Sequence, residues 1–132
     1  VYFSTARSMA RFGLLMINEG KWENETILED KDYFDEMINS SQELNLSYGY
    51  LWWLNGKSSF KTPILQTTFT GSLIPNAPTD MYSALGKNEQ YLCIVPSKNL
   101  IIIRMGNNPD DSLVPILFLD QLWGKLNAVI PQ

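Results

Sequence analysis

Histidine is absent from this 132-residue chain, and cysteine occurs once, at Cys93. The first absence excludes Ser-His-Asp and Cys-His catalysis and histidine-ligated zinc within these residues. The single cysteine excludes an internal disulfide and a cysteine-rich metal site. Cys93 lies in the run Leu92-Cys93-Ile94-Val95, where it reads as a small buried hydrophobe rather than a reactive thiol. No apolar run approaches the ~20 residues of a membrane-spanning helix. The formal net charge is −4, with no block of like charge. Phosphate binding usually leaves a basic patch, so a nucleic-acid partner is not expected. The opening Val1-Tyr2-Phe3 has neither an initiator Met nor the basic start of a signal peptide. The chain therefore reads as beginning inside a longer protein, with any targeting signal upstream.

What remains is rich in core-forming residues. Hydrophobic residues make up 45% of the chain, enough for one domain, or part of one, over residues 1–132. Ser4 or Thr5 can cap a helix whose apolar positions follow at Met9, Ala10, Gly13, Leu14 and Ile17, with Gly20 in the C′ place. Lys21–Glu25 reads as a polar connector. A second helix is predicted over Asp30–Ile38, with Tyr33, Phe34, Met37 and Ile38 as its buried stripe. The aromatic run Tyr48–Leu54 reads as a strand, ended by the turn signal Asn55-Gly56. Lys57–Asp80 is a long connection with three prolines and one weak strand signal near Ile64–Phe69; a connection of that length is usually functional or mobile. Gln90–Val95 and Leu100–Met105 are the clearest strands, joined by the tight turn Pro96–Asn99 as an antiparallel hairpin. Asp110, Asp111 and Ser112 suit the start of a last helix that tolerates Pro115 in its first turn. Its apolar face would be Leu113, Ile116, Leu117, Leu122, Trp123, Leu126 and Ile130. The pattern predicts an α+β fold, with an antiparallel sheet of at least three strands flanked by helices. The hairpin strands are too apolar to leave one sheet face in water, so both faces need cover.

Four segments in this order carry a resemblance. Ser4-Thr5-Ala6-Arg7-Ser8-Met9-Ala10-Arg11-Phe12-Gly13 resembles a Ser-Thr-Ala-x-Asp-Met-Ala-Arg-Phe-Gly helix, with Ser8 in the Asp position. Tyr48-Gly49-Tyr50-Leu51-Trp52 resembles a Tyr-Gly-x-Gly-Trp strand. Val95–Ile103 resembles an Ile-Pro-x-Lys-Asn-Leu hairpin. Gly86-Lys87-Asn88-Glu89-Gln90 is similar to a Gly-x-x-Gly-Gln segment, with Glu89 in place of the second Gly. All four belong to the serine hydrolases related to β-lactamases, penicillin-binding proteins and esterases. The resemblance implies the C-terminal portion of the β-lactamase/transpeptidase-like fold.

It also implies a division of labour. The family's Ser-x-x-Lys nucleophile and its Tyr or Ser motif would precede Val1. Only the third element, Lys-Thr-Gly or a variant on a strand flanking the site, would fall inside this chain. Ala84-Leu85-Gly86 resembles it in degenerate form, Ala84 standing for the usual Lys or His. By the same resemblance the Lys87 N–H is an oxyanion-hole donor, Gly86 lets substrate lie against the strand, and Gln90 adjoins substrate. The aromatics of Tyr48–Trp53 read first as core packing, with at most one of the two tryptophans, Trp52, near substrate. Loss of such a donor costs ~10²–10³ in rate. The Glu89 carboxylate beside the site would repel anionic substrates such as penicillins. Asp110-Asp111 suggests a helix cap rather than a cation site, and no metal or cofactor is implied.

Three segments imitate the missing motifs. Ser58-Ser59-Phe60-Lys61 has Ser-x-x-Lys spacing, but Gly56 before it and Pro63 after it argue against the helix that chemistry needs. Lys61-Thr62-Pro63 imitates Lys-Thr-Gly, yet Pro lacks the backbone donor. Tyr2-Phe3-Ser4 imitates Tyr-x-Ser, with Ser4 better used as a cap. The resemblance thus implies a segment of a serine hydrolase acting through an acyl-enzyme on a small ester or amide, inactive alone. Its partners would be that small-molecule substrate and the missing N-terminal portion, or a second copy of itself. A bacterial periplasmic or secreted parent fits the resemblance. The alternative is a stand-alone, non-catalytic binding module that reuses this half-fold.

Overall fold

A computed structural model of the chain describes residues 4–63, 65–107 and 116–130. The helix start expected at Asp110–Pro115, the Leu113 position and the Tyr2-Phe3 pair lie outside these residues.

The first helix, α1, spans Ala6–Ile17. Of the two candidate caps Thr5 is the one used: its Oγ1 accepts from the Ser8 N–H at 3.1 Å. The Thr5 hydroxyl also donates to Ser8 Oγ at 3.1 Å, so Ser8 makes a local bond from the position where the resembled motif has Asp. At the other end Asn18 caps the helix, Glu19 takes the left-handed C′ place (φ 52°) and Gly20 follows one position later than expected. Gly20 N–H bonds Leu15 O at 2.8 Å and Glu19 N–H bonds Met16 O at 3.1 Å, which ties off the last carbonyls.

The expected connector is a small hairpin, β1 Lys21–Trp22 against β2 Glu25–Thr26, turned through Glu23 at φ 53°. Helix α2 spans Lys31–Met37, with Asp30 accepting from the Tyr33 N–H at 2.9 Å. Phe34 and Met37 are buried as predicted. Tyr33 instead faces outward against the Tyr50 ring, 5.7 Å between centroids.

The aromatic run does not extend as one strand. Only Trp53–Leu54 does, as β3. Leu51 adopts a left-handed φ of 64°, the chain folds back, and Tyr48 bridges Trp53. Leu51 occupies the position of the second Gly in the resembled Tyr-Gly-x-Gly-Trp motif, so a residue with a side chain holds a backbone shape that favours glycine. Asn55, expected only as a turn signal, is buried and organises the loop ahead of the next strand. Its Nδ2 reaches the carbonyls of Ile74, Ala77 and Pro78 at 3.0, 3.2 and 3.0 Å, and its Oδ1 accepts from Ile74 N–H at 2.9 Å. Within the long connection, β4 Ser59–Phe60 pairs with β5 Phe69–Thr70, and the two Phe rings stack at 5.3 Å.

Strands β6 Tyr82–Gly86, β7 Gln90–Val95 and β8 Leu100–Arg104 complete a four-stranded antiparallel sheet in the order β3-β6-β7-β8. The β7–β8 hairpin has the predicted turn, with Asn99 left-handed and the Asp80 carboxylate accepting from Ser97 N–H at 2.6 Å and Ser97 Oγ at 2.9 Å. Alternation along β7 sends Tyr91, Cys93 and Val95 to one face and Leu92 and Ile94 to the other. Helix α3, Ile116–Leu126, covers the first face with Ile116, Leu119 and Trp123, while Leu117 is exposed rather than part of the predicted stripe. The second face is covered by α1 and α2 through Met16, Phe34 and Met37, so the early helices provide the second layer. Leu14, expected on the buried side of α1, is exposed and Met16 takes its place. Gly13 permits this approach: a Cβ there would lie 2.7 Å from Ile101 Cγ2 and 3.1 Å from Leu92 Cδ1. The predicted α+β class, an antiparallel sheet between helices, is the observed one. No described helix is long and apolar enough to cross a membrane.

Candidate active site

The sheet ends in a cavity of about 320 Å³. Ser4 and Met9 reach it from the start of α1, and Tyr48, Leu51 and Trp53 from the folded-back aromatic segment. Ala84, Leu85 and Gly86 form its wall on β6; Gln90, Tyr91 and Leu92 continue it on β7; Arg104, the last residue of β8, and Met105 after it close it. The antiparallel register brings these together, because Gly86 pairs with Gln90 and Tyr91 with Arg104. Most of the lining is apolar, and the polar groups gather where β6 turns into β7.

Ala84, Gly86 and Gln90, all singled out by the sequence, stand on this wall. Gly86 is extended at φ −107°, ψ 166°, a conformation open to any residue. A Cβ there would sit 3.3 Å from Gln90 Cβ, a close but tolerable contact. Neither backbone shape nor packing demands glycine, which leaves room in the cavity as the physical reason for it. Lys87 follows directly and opens a 3-10 turn through Glu89. Its side chain is exposed, and Lys87 is not among the residues that line the cavity; it stands one peptide bond beyond Gly86, which is.

The turn is unusual in its backbone. Asn88 (φ 59°) and Glu89 (φ 58°) are left-handed in succession, a conformation that costs roughly 1–2 kcal/mol for a residue with a Cβ, less for Asn. Glu89 stands where the resembled motif has Gly, so a residue with a side chain holds a backbone shape that favours glycine. The expectation that Glu89 would repel anions at the site is corrected: the residue is 1% exposed and does not line the cavity.

Gln90 differs from a simple substrate contact. Its Nε2 donates to Asn88 O at 3.0 Å and to Gly106 O, and its Oε1 accepts from Gly106 N–H at 3.1 Å. The carboxamide thus ties the turn to the segment after β8. Arg104, unnoticed in the sequence, does the same from the other strand, and its Cζ lies 4.9 Å from the Phe118 ring centroid.

Trp52 is corrected. It is 5% exposed and packs between Phe12 and Tyr82, at 6.3 and 5.1 Å between centroids, in the core under α1. Trp53 is the tryptophan on the cavity, because successive strand side chains point to opposite faces. The Ser58-x-x-Lys61 imitation is not helical: Ser59–Phe60 is strand β4. Ser4, read as a cap in preference to a Tyr-x-Ser imitation, does not cap α1 but lines the cavity. Leu51 and Met105 carried no chemical signal that sequence reasoning could have used.

Titratable groups near the sheet are tuned by burial rather than for reaction. Burial pushes the Cys93 thiol up to about 12, with the neighbouring Ser83 hydroxyl offsetting a part of the rise. Burial also raises the Tyr82 phenol, whose hydroxyl donates to Met16 O at 3.1 Å. Among the described residues no three His, Cys, Asp or Glu side chains gather as a metal site.

No family profile and no curated protein sequence matches the chain. Among solved structures it is similar to one described as "Putative 6-aminohexanoate-dimer hydrolase from Bacillus anthracis", with a TM-score of 0.59 and 24% identity. The match covers 98% of this chain and 30% of that one. The likeness is one of fold, and the chain spans less than a third of its neighbour's length.

Proposed function

We propose that this chain forms one wall of a serine-hydrolase active site whose nucleophile lies outside these 132 residues. The observation that supports the reading is the cavity itself: an apolar pocket bounded by Ala84–Gly86, with Lys87, the proposed backbone donor, opening the turn directly after Gly86. Acyl transfer through a serine needs a nucleophile, a base and hydrogen-bond donors for the developing oxyanion. A backbone N–H serves as such a donor with any side chain attached. It donates to the carbonyl oxygen as charge builds there, while a serine from the rest of the protein passes its proton to the base and attacks the carbonyl carbon. The ester or amide bond breaks, the alcohol or amine leaves with that proton, and water then hydrolyses the acyl-serine to the free acid and serine. The absence of histidine in the chain is consistent with a lysine-assisted serine supplied from elsewhere.

The substrate class follows from the lining. Met9, Trp53, Leu85, Leu92 and Met105 favour an uncharged, apolar acyl or leaving group. A small neutral ester or amide fits this better than an anionic β-lactam, and Glu89 plays no part in that preference. The test is a substrate panel on the protein that carries this chain: short p-nitrophenyl esters, small anilides and a chromogenic cephalosporin. The reading expects ester or anilide turnover exceeding that of the cephalosporin. Absence of ester and anilide turnover, with the protein folded, refutes it.

A further inference from the structure

We infer that Arg104, acting with Gln90, is the positioning residue that holds the 87–89 turn in place. The structural part stands on the hydrogen bonds alone; its catalytic consequence rests on the proposed function. Two successive left-handed residues do not hold that shape by preference, so something must fix them. The carbonyls they present are the handles. Arg104 Nη1 donates to Glu89 O at 2.7 Å and to Asn88 O at 3.3 Å, and Nη2 donates to Asn107 O at 2.7 Å. Gln90 Nε2 takes Asn88 O and Gly106 O, while Gly106 N–H returns to Gln90 Oε1. Two side chains from adjacent strands therefore lash the turn before β7 to the segment after β8.

The guanidinium is itself held. The Phe118 ring of α3 lies 4.9 Å from Cζ and the Tyr91 ring 5.8 Å, so the plane of the fork is set by aromatic faces on its own side of the sheet. This use needs arginine rather than a generic cation. A planar fork reaches several carbonyls in fixed directions, whereas a lysine ammonium is a point charge on a flexible stem. Arg104 also borders the cavity, which invites a reading as an anion-binding side chain. Its bonds run instead to three backbone carbonyls, which makes it part of the wall's framing.

The test is Arg104→Lys in the protein that carries this chain, read by peptide-resolved hydrogen exchange and by steady-state kinetics. Amides over 86–90 should exchange at least tenfold faster, with the peptides of the β7–β8 turn at 96–99 unchanged. kcat should fall on the order of 10²-fold, the effect of an ~1 Å misplacement, with KM nearly constant. Added guanidinium should restore protection and turnover together in Arg104→Ala. Unchanged exchange over 86–90 overturns the inference, whatever happens to kcat. Faster exchange with unchanged kcat upholds the strap and instead refutes the Lys87 amide as oxyanion donor. Should Arg104→Lys unfold the hairpin as well, Gln90→Met decides: it removes the carboxamide bonds, and the same 86–90 peptides must lose protection for the inference to stand.

Discussion

Replacing Gly86 with valine should separate folding from function. At φ −107° and ψ 166° the backbone is ordinary extended strand, so a β-branched residue is sterically allowed. The new Cβ would stand 3.3 Å from Gln90 Cβ and 3.6 Å from Gln90 O, contacts that a few tenths of an ångström relieve. Removing glycine from a strand gains about 0.5–1 kcal/mol, and strand preference spans about 1 kcal/mol, so crowding and gain nearly cancel. The expected change in unfolding free energy is within about 1 kcal/mol. The cavity responds differently. Gly86 and Gln90 are cross-strand partners whose side-chain positions share one face, and both line the pocket. Two methyl groups there would hold a substrate carbonyl away from the Lys87 amide. Loss of one oxyanion donor costs ~10²–10³ in kcat, about 2.7–4 kcal/mol. Urea unfolding and ester hydrolysis by the protein that carries this chain provide the two readouts. A Gly86→Val protein that keeps its stability and its turnover within a factor of a few would refute the placement of substrate at Gly86. One that loses several kcal/mol of stability would refute the packing argument.

Three further outcomes follow from the described contacts. Asn55→Ala strips the loop of four hydrogen bonds and leaves Ile74 N–H buried without its acceptor; a loss of about 3 kcal/mol in urea unfolding is expected, and a loss below about 1 kcal/mol would show that the loop holds without it. Leu51→Gly relieves a left-handed residue that is 81% exposed; the gain of roughly 1–2 kcal/mol outweighs glycine's cost of about 0.5–1 kcal/mol, so Tm should rise, and a falling Tm would contradict the strain. Cys93 has its thiol pushed up to about 12 by burial, from an ordinary value of 9.0. The unfolded chain therefore ionises first: the contribution is complete below pH 9, and is lost as pH rises towards 12. Cys93→Ala should flatten the alkaline decline in stability, with the remainder coming from Tyr82, and an unaltered slope would count against a buried neutral thiol.

The hairpin Gln90–Val95 and Leu100–Arg104 was legible because its signal is doubled: unbroken apolar runs on either side of a strong turn. The first helix was legible through its cap, Thr5, and the second through its apolar stripe, Asp30 proving to be its cap rather than its first residue. The aromatic segment misled because composition says strand at every position while the backbone turns at Leu51, and leucine gives no sign of a left-handed φ. Trp52 and Trp53 illustrate a second limit. Alternation guarantees that they part, but which one meets the core depends on where the strand begins, and only two of the expected residues form it. Along the site wall, Ala84, Gly86 and Gln90 could be located through the resembled motif. Arg104 could not, since an arginine at the end of an apolar strand looks like any solvated charge until the turn it grips is placed beside it.

The most direct test of the central claim is covalent. The protein that carries this chain would be treated with a fluorophosphonate probe, digested and mapped by mass spectrometry. The account predicts one adduct, on a serine outside the 132 residues, and none on Ser4, Ser58 or any other serine within them. An adduct inside the chain, or ester turnover with no serine adduct anywhere, would contradict it.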